Sequence, residues 1–348
     1  MRNSRLYNYY NEHRLDTFVG NSPIENVSLI HNSCDQKCIH CGWSCLSNQT
    51  ALQGLFSFRA STAAWKSILK WCAQRQVAYV IFSGGEPTLR KDFHNLVIDA
   101  QWHGLRVVVE TNGQKFANSD YCRLFSPGKQ IRYVISIHGA TAKVHDNITQ
   151  VPGSFEKTLQ GIRNLTNYTQ SRIDLITVLS KYNLDTVIDT FKLFEDIGIY
   201  SHFFVLMMLR GQATPDKLPP MGQLKDVIDS LLEKSKESKT KVFFNNLPLC
   251  FLNDEIIKSI NYQAIQNRNK CNELLLYPDN LERSFLGKMT LPTPLSYPDC
   301  CTICFFRDVC PAPSYIHYFE NPYRFVQPFT LLKQGGKKVI FKDAHSGR

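Results

Sequence analysis

Six short apolar runs, separated by stretches with helical periodicity, most constrain how this chain can fold. NVSLIH (26–31), AYVIFS (78–83), RVVVET (106–111), IRYVISIH (131–138), RIDLITVLS (172–180) and HFFVLMML (202–209) read as strands that are largely covered on both faces. Strands of that kind belong in a parallel sheet packed with helices. Helix signals fall between them: 61–76, with Trp65, Ile68, Leu69 and Cys72 on one face, then 92–103, about 118–125, from Ser154, and 184–196. The alternation predicts an α/β fold. Most of the polar signature residues lie at the C-terminal ends of the runs, the edge where a β/α barrel carries its site, so a barrel is expected rather than a structural layer.

The first of these polar ends holds Cys34-x3-Cys38-x2-Cys41. Zinc frameworks commonly pair Cys-x2-Cys with a second such pair downstream, which this triplet does not do. Three thiolates suit three corners of an iron–sulfur cube and leave one iron open to a small molecule, which points to redox chemistry. The second run ends in Ser83-Gly84-Gly85-Glu86-Pro87. There two glycines allow close backbone approach and a carboxylate can hold an ammonium group, although the motif taken alone reads slightly better as a plain strand-ending turn. The third ends in Glu110-Thr111-Asn112-Gly113 and the fourth in Ser136-Ile137-His138-Gly139. His138 is either a proton carrier facing a cavity or a hydrogen-bonded histidine at a strand end, and His145 is expected to cap or pack.

With these pieces in this order, residues 25–210 resemble the radical S-adenosylmethionine superfamily, whose motif is Cys-x3-Cys-x-aromatic-Cys followed by Gly-Gly-Glu-Pro; His40 takes the aromatic position. The resemblance implies a partial (β/α)6 TIM-type barrel. It implies a [4Fe–4S] cluster on Cys34, Cys38 and Cys41 that binds S-adenosylmethionine and cleaves it to a 5′-deoxyadenosyl radical. It further implies that Gly84, Gly85 and Glu86 hold the methionine amino group, that His40 packs near the adenine, and that Asn112 and Ser136 contact ribose or carboxylate. An electron donor such as a flavodoxin or ferredoxin would be a partner.

A proline-rich break at Pro215, Pro219 and Pro220 precedes a helix at 223–238 and an irregular region holding six of the twelve cysteines. The expected division is an N-terminal arm (1–24), a barrel (25–215) and a C-terminal domain (216–348). Cys301-x2-Cys304-x5-Cys310 resembles the end of SPASM and twitch auxiliary domains, which implies a second [4Fe–4S] cluster. Cys250 is the first choice for its fourth ligand, with Cys271 and Cys300 behind it, and zinc in the same thiolates is the alternative. No cysteine follows Cys310, so a single auxiliary cluster is expected. Cys72 and Cys122 read as core residues, and Cys45 is assigned no ligand role.

The chain has 348 residues and is 43% hydrophobic, enough for one large core and a smaller unit. No stretch nears the ~18 apolar residues that cross a bilayer, and MRNSRLYNYYNEHRLDTF has no apolar signal core, so a cytoplasmic protein without a membrane partner is expected. The net charge of +10 permits an anionic partner, but no aromatic-plus-basic recognition motif accompanies it. The leading reading is radical chemistry on a peptide or protein. The alternatives are the same chemistry on a small molecule, nucleoside or RNA, and a non-catalytic iron–sulfur or zinc protein.

Overall fold

The structure is a computed structural model describing residues 26–31, 33–42, 61–125, 131–209 and 211–248, together with four later strands in backbone. The strands are β1 (Asn26–His31), β2 (Tyr79–Gly84), β3 (Arg106–Thr111), β4 (Arg132–Ser136), β5 (Arg172–Leu179), β6 (Ser201–Leu206), β7 (Lys241–Asn245), β8 (Asn272–Leu276), β9 (Phe285–Lys288), β10 (Phe329–Gln334) and β11 (Lys337–Lys342). The α-helices are α1 (Thr62–Gln74), α2 (Phe93–Trp102), α3 (Ser119–Arg123), α4 (Ala142–Thr149), α5 (Ser154–Tyr168), α6 (Val187–Leu193) and α7 (Met221–Ser235).

Nine strands form one sheet in the order β7-β6-β5-β4-β3-β2-β1-β8-β9, and β10 and β11 pair separately. Strands β1 to β8 are parallel and β9 runs antiparallel to β8. From β1 to β7 each connection moves one place in the same direction. A doubly wound sheet reverses direction part-way, whereas this steady winding is that of a β/α barrel. The second neighbour of β1 is β8, so β1 does not close onto β7 and the barrel is partial. Because the strands are parallel, the loops after β1 to β6 all emerge at one edge.

All six expected strands are present. The sheet also takes in β7, β8 and β9, which lie past residue 215. Strand β7, KVFFN, alternates between exposed and half-buried positions, so it lacks the continuous apolar run that marked the other strands. The expected helix at 184–196 is three short pieces, a 3-10 turn at Leu184–Thr186, α6, and a second 3-10 turn at Glu195–Ile197.

Helix α1 shows why the periodicity was informative. Ser61 Oγ accepts from the Ala64 N–H as an N-cap, and Trp65, Ile68, Leu69 and Cys72 are buried along one face. Trp65 stacks on Phe82 of β2 at 6.0 Å, and Phe82 meets Phe93 of α2 edge-on at 5.5 Å, a ring geometry that adds to simple burial. Cys72 and Cys122 are fully buried core residues. Helix α5 begins at Ser154 as expected, but Gly153 (φ 78°) is its cap residue. Asp146 satisfies the free N–H of Phe155 (2.8 Å) and also accepts from Gly153 N (2.6 Å) and Ser154 Oγ (2.8 Å). Among the described residues no helix is long and apolar enough to cross a membrane.

Candidate active site at the C-terminal edge of the sheet

The loop after β1 carries Cys34, Cys38 and Cys41, and backbone contacts hold it from three sides. From the end of β2, Gly85 N donates to His31 O (2.5 Å) and Glu86 N to Ser33 O (2.7 Å). From the end of α4, Thr149 O accepts from Lys37 N and Ile148 O from Ile39 N, both at 2.9 Å. Beyond β6, Gln212 N donates to Cys41 O (3.0 Å) and Lys217 Nζ to Ile39 O (3.1 Å). Two glycines make this fit possible. A Cβ on Gly85 would overlap the Ser33 carbonyl, and one on Gly211 would overlap that of Cys41.

The Cys41 charge penalises ionisation of Cys34, and the charges of Cys34 and Cys41 penalise that of Cys38. Burial pushes Cys34 up to about 12, although one side of it reaches solvent, with Glu86, Asp35 and Cys41 adding to the shift and the Gln36 N–H opposing it. Burial likewise pushes Cys38 up, with Cys34 and Cys41 next in size. Thiols shifted in this way, as Cys34 and Cys38 are, favour a strongly positive, thiophilic group.

Beside the loop, Glu86 is 1% exposed. Its Oε1 accepts from Thr88 N (3.0 Å), Thr88 Oγ1 (2.5 Å) and Thr111 Oγ1 (2.7 Å), and its Oε2 from Asn112 N (2.7 Å). Burial pushes its carboxyl above the usual range against the pull of these donors. Asn112 Nδ2 donates to Asp35 Oδ1 (2.6 Å) in the cysteine loop, so the ends of β2 and β3 and the loop form one polar network. Gly113 beside it has φ 78°, and Thr158 Oγ1 of α5 donates to Asn112 O (2.8 Å). Ser136 ends β4, two strands from Glu86 in the sheet order. Gly84 takes φ 104° where β2 turns out of the sheet.

Three imidazoles line the other side. His40 meets His138 edge-on at 4.6 Å, and His138 stacks on His145 at 5.7 Å. Ring nitrogens of His40 and His138 and the sulfur of Cys38 all lie within 4.8 Å of one another. His138 is the hydrogen-bonded strand-end histidine: its Nδ1 accepts from Val178 N (3.4 Å), and its own N–H donates to His145 Nδ1 (3.1 Å). Burial pushes His138 well below the ordinary histidine value, with His40 the next cause, and it also brings His40 and His145 each down to about 4.

A family model described as the radical SAM superfamily matches residues 28–194. Residues 28–194 are a radical SAM domain. The chain is 31% identical over 211 residues to an AdoMet-dependent heme synthase of Methanosarcina barkeri, covering 60% of this chain and 58% of that protein. A similar stretch is 28% identical to the mycofactocin maturase MftC of Mycolicibacterium smegmatis, covering 60% of this chain and 47% of that one. The chain thus spans about half the length of the curated relatives it matches. Among solved structures, Streptococcus suis SuiB bound to its precursor peptide SuiA superposes with a TM-score of 0.59 at 17% identity, covering 74% of this chain and 58% of SuiB. At that identity the likeness establishes the fold alone.

Radical SAM proteins use a [4Fe–4S] cluster and S-adenosylmethionine, and the residues fit both. The domain offers three crowded thiols to iron, and a carboxylate whose hydrogen-bond partners among the described residues are all neutral at the edge an ammonium group would approach. Cys250, Cys271, Cys300, Cys301, Cys304 and Cys310 lie outside the described residues. The residues that the sequence motifs did not reveal are those that hold the loop: Ile148, Thr149, Gly211, Gln212 and Lys217. Gly211, a glycine closely following the sixth apolar run, was the one available signal.

Proposed function

We propose that this chain is a radical SAM enzyme whose Cys34, Cys38 and Cys41 hold the catalytic [4Fe–4S] cluster and whose substrate is a peptide or protein. The observation that carries this reading is the convergence of three cysteine thiols on a loop held beside buried Glu86. The cluster, when bound and reduced, supplies the electron that splits S-adenosylmethionine into methionine and a 5′-deoxyadenosyl radical, which then takes a hydrogen atom from the substrate.

The chain's own groups act around that event. Glu86, with Gly84 and Gly85, receives the methionine ammonium; its hydroxyl and N–H partners fix both carboxylate oxygens, so no reorganisation accompanies binding. His40 packs by the adenine as a neutral ring, and Asn112 and Ser136 contact ribose or carboxylate. Exclusion of water by the strand-end loops protects the radical. In the segment 216–348, Cys301, Cys304 and Cys310, with Cys250, Cys271 or Cys300 as fourth ligand, hold a second [4Fe–4S] cluster. A flavodoxin or ferredoxin delivers the electron.

A peptide substrate is supported by similarity to MftC, a maturase by name, and by the cysteine run. Similarity to the heme synthase supports a second reading, the same chemistry on a small molecule. The test is anaerobic reconstitution followed by iron analysis and 5′-deoxyadenosine assay. We expect the C34A/C38A/C41A variant to lose about four irons per chain and all 5′-deoxyadenosine formation. Retention of either would overturn the assignment. Turnover of a tetrapyrrole with none of any precursor peptide would select the second reading.

A further inference from the structure

Gln36 occupies the middle of the cysteine loop, yet its side chain is buried, with 9% exposure. It touches two of the three sulfurs. Its backbone N–H donates to Cys34 Sγ at 3.4 Å, and its side-chain Oε1 accepts from the Cys38 thiol at 3.4 Å. The other end of the amide, Nε2, is buried with no hydrogen-bond partner among the described residues. A buried amide N–H without an acceptor is costly, and here the nearest sulfur engages the opposite end of the same group.

From this geometry we infer that Gln36 is a positioning residue that sets the reduction potential of the cluster by donating hydrogen bonds to its ligand sulfurs. The inference rests on the proposed ligation by Cys34, Cys38 and Cys41. Ligation removes the thiol proton of Cys38, leaving a sulfur that only accepts. Facing it, the amide oxygen becomes repulsive. Half a turn about the last side-chain bond exchanges Oε1 for Nε2, which are close to isosteric. The turn breaks no existing bond of Nε2 and gives up only the thiol contact that ligation has already removed. Gln36 then donates from its backbone to Cys34 and from its side chain to Cys38. Reduction adds negative charge to the cluster and its sulfurs, so N–H donors stabilise the reduced form more than the oxidised one and raise the potential.

The test is a redox titration followed by EPR on the reconstituted full-length protein and its Gln36→Met variant, which keeps side-chain length and removes the N–H. The signal to follow is the one altered by adding S-adenosylmethionine. With iron content equal, the reduced-to-oxidised ratio at fixed potential should fall about tenfold in the variant, a shift of about 59 mV for one electron. A variant with full iron and an unchanged potential overturns the inference, even if its melting temperature drops as a purely structural role would require. Should the variant fail to hold iron, unsubstituted protein with 15N in its glutamine side-chain amides decides. A pulsed-EPR nitrogen coupling to the reduced cluster supports Gln36 as donor, and its absence overturns it. If the unsubstituted protein binds no cluster, the proposed function fails instead.

Discussion

Two buried carboxylates lie at opposite edges of the same sheet and are satisfied in opposite ways. Asp174, near the start of β5, is 0% exposed and accepts from Arg132 Nε (2.5 Å), Arg172 Nε (3.0 Å) and Ser201 Oγ (2.6 Å). Glu86, just past the end of β2, is 1% exposed and accepts from hydroxyls and backbone N–H groups that carry no charge. Two guanidinium groups neutralise Asp174, which ties together the starts of β4, β5 and β6. Glu86 is held as firmly, but its charge is left to be matched. Rigid placement without neutralisation prepares a carboxylate for a cationic ligand, whereas complete pairing makes it a strut.

Substitutions at the two sites should separate these roles. Asp174→Asn should cost about 3 kcal/mol in urea unfolding, at the low end for a broken buried pair because both arginines keep contact with water. Binding of S-adenosylmethionine to the loaded protein should stay unchanged, and a large loss there would erase the distinction. In Glu86→Gln the effect should move to the ligand: a dissociation constant raised about ten- to a hundredfold, or about 1.4 to 2.8 kcal/mol, measured by equilibrium dialysis. An unchanged constant would make Glu86 a second strut.

A smaller effect is expected from Asp146→Asn, at about 1 kcal/mol after allowance for solvent screening. Burial opposes ionisation of Asp146, but the Phe155 N–H, the Ser154 hydroxyl and the Gly153 N–H together hold its carboxyl below 3.8. A depressed carboxyl adds stability above its unfolded value and loses it as pH falls through the folded one. The gap between wild type and variant should therefore be complete at neutral pH and close as pH falls below about 4. A gap that persisted at pH 2 would point to packing rather than charge.

Legibility from sequence followed the range of the interactions. Strands β1 to β6 announce themselves because burial on both faces demands unbroken apolar runs, and α1 because its core residues repeat at helical spacing. Strand β7 was missed because its exposed alternating positions leave no such run. At the site, the cysteine spacing and Gly-Gly-Glu-Pro are local patterns and could be read. The use of Gly85 could not, because its need for a bare Cα comes from the Ser33 carbonyl, which only tertiary structure places there. Ile148, Thr149 and Lys217 act through backbone oxygens or one long side chain, and those contacts leave no mark in residue type.

The attachment of the cysteine loop also orders events in time. Its cysteines are synthesised before every residue that holds the loop in place, and besides Gly85 and Glu86 those residues lie as far on as 148–149 and 211–217. A chain still growing on the ribosome would present these thiols on a segment held from one side alone until residues 148–149 and then 211–217 had emerged. On the proposed ligation, iron loading of this loop would follow the emergence of β6 rather than precede it.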